Sequence, residues 1–320
     1  MSWSDVGHLS RPPAIMSIGV VSADRFLRVG SLPRPEEKVN GKDLGWYIGG
    51  MCANFSVAAR QFGAKARFIT VFGEDEEAVR IRDGLTRLGV DTEGSATVAG
   101  GSSWSSLTLL SEQGEKVLVI LGSDLPLPDP ASCTPHLSAG WDVVYPVSID
   151  TGWCAEIGVA AQCDGALVAY DLEPYFVESA WGTKKFAEMM ACGDLIFTKM
   201  DSARAAGFET AADAAAAVLD MGPRLVVITD GPRPVYCAGE GRRLSAVPPA
   251  VPVVDSTGAG DAFAGALCSL YAQRRPLEVC LSVATAVGTL CVTSLGCQSY
   301  APIEWPVFEE LHSRVMVSDL

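Results

Sequence analysis

Short runs of consecutive apolar, largely β-branched residues recur along the chain, at 15–21, 67–71, 143–147, 166–171, 195–198 and 225–229. None alternates strictly between apolar and polar positions, so each predicts a strand buried on both faces. Between them lie alanine-rich stretches, at 53–62, 76–88, 150–161 and 211–219, that read as helices. Strand and helix in alternation predict an α/β fold: a mostly parallel sheet flanked by helices, receiving its ligands at the carboxyl ends of the strands. Two segments break the pattern. Residues 25–48 carry a Pro33-Arg34-Pro35 turn, and residues 104–121 read as two strands about the turn Ser111-Glu112-Gln113-Gly114-Glu115. They predict an added β-layer. Laid over the ligand end it would be a lid that keeps water from a reacting group; laid elsewhere it would be an edge extension with a packing or dimer role. No repeat, charge block or low-complexity linker interrupts the 320 residues, so 1–320 reads as a single domain.

Composition narrows the partners. With 48% hydrophobic and 19% charged residues the chain has ample material for a core. The formal charge of -14 argues against nucleic acid or an anionic membrane as a partner and for a small molecule. An anionic ligand would then need local dipoles and a few placed cations. No apolar stretch approaches the roughly 20 residues that cross a bilayer. Residues 1–13 show no basic-then-apolar leader, which points to a ragged terminus and a cytoplasmic protein. The ten cysteines never fall two to four apart and read as buried thiols, while His8, His136 and His312 are scattered. Any metal would be held by oxygen.

The chemistry concentrates in Val251-Pro-Val-Val-Asp-Ser-Thr-Gly-Ala-Gly-Asp-Ala-Phe-Ala-Gly-Ala-Leu267: an extended apolar run, a glycine turn and a small-residue helix. At such a helix start the amides of Gly258, Ala259, Gly260 and Asp261 have no intrahelical partner and form a cradle for an anion. The carboxylate of Asp261 can accept a proton from a hydroxyl beside that cradle, which suits phosphoryl transfer. The competing reading makes the glycines a plain turn and Asp261 a helix N-cap. The loop is neither a Walker A sequence nor a GxGxxG fingerprint.

Near the amino end, Gly49-Gly50-Met-Cys-Ala-Asn54 leads into a helix, and Asp24 follows the first strand in Gly19-Val-Val-Ser-Ala-Asp24. Asn54 and Asp24 could hydrogen-bond the hydroxyls of a polyol. Each is equally at home as a turn, cap or loop residue.

Taken in order, Gly49-Gly50 with Asn54 and Ala58-Ala59, Val71-Phe-Gly-Glu-Asp75, Leu88-Gly-Val-Asp91 and Asp255-Ser-Thr-Gly-Ala-Gly-Asp261 resemble the ribokinase-like, phosphofructokinase-B type carbohydrate kinases from about residue 15 to 302. The resemblance implies a Rossmann-like α/β core with a β lid. It implies transfer of the ATP γ-phosphoryl group to a hydroxymethyl group of a sugar or related polyol, with Mg²⁺ and, in many members, K⁺. Carried over by position, Asp261 is the catalytic base and Gly258, Ala259 and Gly260 the anion hole. Asp24, Gly50 and Asn54 bind substrate, Thr229 and Gly231 lie at the nucleotide, and Asp255 is a candidate site for a monovalent cation. Gly296, in Ser294-Leu-Gly-Cys-Gln298, falls in a late loop that encloses adenine and cation.

Departures matter as well. Where the family has Asn-x-x-Glu to order Mg²⁺, this chain reads Lys199-Met-Asp-Ser202; Lys199 could neutralise phosphate and Asp201 could replace the missing carboxylate. Met51 and Cys52 stand for the Lys-Gly of many ribokinases, and Ser148 for a glutamate that faces the sugar, which argues against ribose itself. The expected function is therefore an ATP-dependent sugar kinase. A nucleoside kinase of the same family, or a weakly catalytic sugar-binding or regulatory protein on that scaffold, are the alternatives. A homodimer through the β-layer is a further option.

Overall fold

In this computed structural model residues 11–113 and 115–320 are described; most of the expected ragged terminus, and Gly114 of the lid turn, lie outside them. The chain begins β1 (Ala14–Ile18), β2 (Ser22–Val29), β3 (Gly41–Gly49), α1 (Met51–Gln61), β4 (Lys65–Ile69), β5 (Val71–Phe72), α2 (Glu76–Arg87), β6 (Ala96–Thr97), β7 (Trp104–Ser111) and β8 (Lys116–Leu121). It continues α3 (Pro130–Leu137), β9 (Val143–Pro146), α4 (Thr151–Cys163), β10 (Leu167–Leu172), α5 (Pro174–Ala180), α6 (Lys184–Ala191), β11 (Leu195–Lys199), α7 (Met200–Ala205), α8 (Ala211–Leu219) and β12 (Leu225–Asp230). It ends β13 (Arg233–Gly239), β14 (Arg242–Val247), α9 (Ala259–Ala272), α10 (Leu277–Cys291), α11 (Trp305–Ser313) and β15 (Met316–Asp319).

The predicted strands form one nine-stranded sheet in the order β15-β14-β13-β12-β11-β10-β9-β1-β4. From β4 to β12 neighbouring strands are parallel; β13, β14 and β15 add an antiparallel edge. Period 2 explains why these strands are apolar throughout. Val143, Tyr145, Leu195, Phe197, Leu225 and Val227 pack on the face covered by α1, α9 and α10, while Val144, Ile196, Val226 and Ile228 pack on the face covered by α4, α6 and α8. Each Val or Leu so buried contributes about 1.5–3 kcal/mol of transfer free energy, and this two-sided core fixes the strand ends on which the site is built. Among the described residues no helix is long and apolar enough to cross a membrane.

The β-layer is a four-stranded sheet in the order β3-β2-β7-β8, in which β2 and β7 are parallel and the other pairs antiparallel. Both halves of the expected lid therefore join one sheet, with β8 at its edge. The run before the glycine turn differs from expectation. Residues 251–254 form no strand, and Val253 and Val254 are exposed. Val254 N and Asp255 N instead donate to Val292 O, tying the turn to the end of α10.

Candidate active site

Helix α9 starts at Gly258, whose φ of 78° lies in the left-handed region where glycine is favoured. A Cβ there would stand 2.6 Å from Cys297 Cβ and 3.2 Å from Asn54 Nδ2. The first four amides of a helix have no intrahelical acceptor, and among the described residues no side chain caps this one. Gly258 is the N-cap and Asp261 lies inside the first turn, so the competing reading of Asp261 as N-cap does not hold. Its carboxylate is directed elsewhere: Oδ2 accepts from Asn54 Nδ2 at 2.8 Å, and Asn54 Oδ1 accepts from Gln298 Nε2 at 2.9 Å.

Close helix packing makes that link. On α9, Gly265 lies against the Phe55 carbonyl of α1, and a Cβ on it would approach Ala58 Cβ to 2.9 Å. Small residues on both helices let the backbones come near enough for Asn54 to reach Asp261. Burial pushes the Asp261 pKa up to about 6; the Asn54 hydrogen bond and the charge of Lys199 hold it down, while Glu173 pushes it further up. At neutral pH the group is mainly a carboxylate with a raised affinity for a proton.

The parallel strands bring the remaining charges to the same place. Along β10, Ala169 and Asp171 point to the α9 face; along β11, Leu195, Phe197 and Lys199 do; along β12, Leu225, Val227 and Thr229 do. Register aligns Asp171 with Phe197 and Lys199 with Thr229. A Cβ on Gly260 would lie 3.8 Å from Lys199 Cε and 4.0 Å from Asp171 Oδ2, so an ammonium and a carboxyl flank the amide cradle. Lys199 Nζ donates to Glu173 Oε1 at 2.7 Å. Burial alone would lower the Lys199 pKa, but Glu173 and Asp171 outweigh it and the ammonium is held. Asp171 is raised to about 7 by burial and by Glu173, with Lys199 opposing.

Asp24 and Gly50 form the other side. Gly50 (φ 97°) caps α1, and a Cβ on it would lie 2.8 Å from Val20 O, while Asp24 fills the space beside Gly49. Asp24 Oδ1 accepts from Ser106 Oγ of β7 at 2.7 Å. Burial raises its pKa, and hydrogen bonds from Ser106 and Ser22 counter part of the rise. Asp255 is buried before the turn; its Oδ2 accepts from Gly296 N at 3.3 Å. Thr229 is half-buried beside Lys199, and Gly231 occupies an exposed turn after β12.

Two expectations are qualified. Asn54 is 2% exposed; its oxygen accepts from Gln298 and one amide hydrogen is donated to Asp261, so a single amide hydrogen is left for a sugar hydroxyl. Asp201 does not supply the missing carboxylate: its side chain is 76% exposed and pairs with Arg204 at 2.8 Å. Asp171 and Glu173 are the carboxylates at the cradle. Ser148 is fully buried and its hydroxyl bonds to nothing among the described residues. Asp171, Glu173, Gln298 and the lid's Lys116, whose Nζ reaches Thr257 Oγ1 at 2.6 Å, had been given no role from the sequence.

A lidded parallel sheet with an acid and an open helix start at its carboxyl edge defines a phosphoryl-transfer enzyme of the sugar-kinase class. Residues 13–304 match the pfkB family of carbohydrate kinases, and the chain belongs to that family. It is 23% identical over 304 residues to a ribokinase of Haemophilus influenzae, covering 92% of this chain and 97% of that protein. It is 27% identical over 294 residues to an ATP-dependent ribose-1-phosphate kinase of Halopiger xanaduensis, covering 89% and 94%. The ribokinase of Arabidopsis thaliana, solved with ribose and ATP, has the same fold, with a TM-score of 0.78 at 22% identity over 94% of this chain and 99% of that one. The chain is thus an ATP-dependent carbohydrate kinase.

Proposed function

We propose that Asp261 is the general base of this kinase and that the amides of Gly258, Ala259 and Gly260 hold the transferring phosphoryl group. What carries this reading is one arrangement: a buried carboxyl with a pKa of about 6, aimed by Asn54, one residue beyond the amide cradle. As the primary hydroxyl of the acceptor forms its bond to the γ-phosphorus, the bond from that phosphorus to the β–γ bridging oxygen breaks and ADP leaves. The hydroxyl proton passes to Asp261 and then to solvent. The transition state is loose, so positioning and charge stabilisation supply most of the acceleration.

Asp24 and Gly50 bind the acceptor from the lid side. Lys199 and Thr229, with Gly231 beyond them, line the nucleotide side, where the ammonium meets phosphate. Asp171 and Glu173 are the carboxylates that would hold a Mg²⁺, which takes one or two carboxylates plus substrate phosphates and retains water, and Lys199 would have to turn from Glu173 toward phosphate to admit it. When bound it neutralises charge on the nucleotide. Residues 1–320 act as a single kinase unit with β2, β3, β7 and β8 as its lid, and β8 joins a second copy.

The two relatives described above are named for ribose and ribose-1-phosphate. Met51, Cys52 and the buried Ser148 alter the pocket, so the acceptor is a sugar or polyol other than ribose that offers a hydroxymethyl group and presents neighbouring hydroxyls to Asp24. The test is ADP formation from Mg-ATP with a panel of ribose, ribose-1-phosphate, hexoses, sugar alcohols and nucleosides, on wild type and Asp261→Asn. The expected result is turnover of a sugar and a roughly 10²–10⁴-fold loss in the variant, the usual worth of a general base. A variant within a few-fold of wild type would exclude Asp261 as the base.

A further inference from the structure

Strand β8 carries one charged residue, Lys116, at its first position. Side chains alternate along a strand, so Lys116 shares a face with Leu118 and Ile120, and register places Ile120 beside Ser106 and Ser106 beside Asp24. That face looks into the site, and Lys116 reaches across it. Its Nζ donates to Thr257 Oγ1 at 2.6 Å and to Asp255 Oδ1 at 3.3 Å. The Thr257 hydroxyl in turn donates to Asp255 Oδ1 at 2.7 Å, and Thr257 N does so at 3.1 Å. Thr257 immediately precedes Gly258, so the contact ends on the cradle itself.

Asp255 has a side chain 4% exposed and Lys116 one 37% exposed. A carboxylate so buried is costly unless a positive charge and hydrogen bonds compensate it. Here Oδ1 takes three donors and Oδ2 takes Gly296 N. The monovalent cation expected at Asp255 does not fit this arrangement, because it would meet occupied oxygens and an ammonium carrying the same charge.

We propose that Lys116 is a positioning residue that brings from the lid the positive charge of the Asp255 site, so that the phosphate cradle is completed by closure of β8 and the enzyme requires no monovalent cation. Opening the lid withdraws the ammonium from a buried carboxylate, which couples the position of β8 to the shape of the turn Thr257–Gly258. Closure over the acceptor and assembly of the cradle become one event.

The proposal rests on the kinase reading for what the cradle receives, but its principal measurement needs no turnover. Melting temperatures of wild type, Lys116→Ala, Lys116→Gln and Lys116→Arg are compared in about 100 mM KCl and in choline chloride of equal ionic strength, where exposed charges are screened within about 10 Å in both. Wild type and Lys116→Arg should melt within about 0.5 °C in the two salts. Lys116→Ala and Lys116→Gln should melt lower in choline chloride and recover about 1–2 °C in KCl, the shift that accompanies about 1 kcal/mol in a protein of this size. A general loss of packing would not respond to the identity of the cation. Wild type stabilised by K⁺ as strongly as Lys116→Ala, or truncated variants indifferent to K⁺, would overturn the proposal. The wild-type comparison decides even if Lys116→Ala does not fold. Absence of sugar-dependent ADP formation with the melting pattern intact would count against the kinase reading and leave the lysine assignment standing.

Discussion

The pKa of Asp261 is set by two neighbours, Asn54 and Lys199, against burial. Burial lifts it to about 6, and without the Asn54 hydrogen bond it would rise further. A general base acts when deprotonated, so kcat/KM should be level above neutral pH and fall as pH drops through about 6, close to tenfold per unit below it. In Asn54→Ala the hydrogen bond to the charged form is lost, which favours the protonated acid. One net hydrogen bond of about 1 kcal/mol corresponds to a little under one pKa unit, so the acid limb should move upward by roughly that much. Wild type and variant would then differ far more at pH 5.5 than at pH 8. Equal displacement of the two profiles at every pH would show that Asn54 shapes the pocket without tuning the acid.

The turn into α9 separates conformational demand from chemical demand. At Gly258 a Cβ meets both a left-handed φ and Cys297 at 2.6 Å. Gly258→Ala should therefore lower the melting temperature by several degrees, since the left-handed region alone costs about 1–2 kcal/mol, and should also abolish turnover. At Gly260 a Cβ would be 3.8 Å from Lys199 Cε, ordinary contact in the space assigned to phosphate. Gly260→Ala should melt within about 1 °C of wild type, a surface-sized effect, yet lose at least about tenfold in kcat. Differential scanning fluorimetry alongside ADP formation distinguishes the two, and matching losses in both variants would deny the cradle a chemical role. Period and turn chemistry made the six parallel strands legible, and the glycine motif with Asp261 announced the cradle. Lys199 was singled out from the sequence, and Asp171 was within reach in the same way, as a charge ending a buried apolar strand at the parity that faces α9. Gln298 and Lys116 were not, because their partners lie 244 and 139 residues away and depend on how a loop and an edge strand fold back.

Across the whole molecule, the proposed anion site lies in a protein of charge -14. Beyond the Debye length, about 8 Å at physiological salt, that net charge is largely screened, so in the proposed site the cradle, Lys199 and Lys116 would govern the approach of phosphate at short range. The same charge bears on self-association. In β8 the residues after Lys116 are Val117, Leu118, Val119, Ile120 and Leu121, 42–64% exposed, and among the described residues no strand pairs with its outer edge. An exposed apolar edge recruits another strand, and two identical antiparallel edges related by a twofold axis satisfy each other at once. Apolar burial drives such pairing and net charge opposes it, so added NaCl should tighten the dimer by screening the repulsion. Sedimentation at low micromolar protein should give twice the mass of the chain. Val119→Lys, on the face of β8 opposite Lys116, should give monomers whose dissociation is not reversed by salt. If wild type sediments as a monomer at every salt concentration, β8 is simply an exposed lid edge, and the site on its inner face must be complete within one chain.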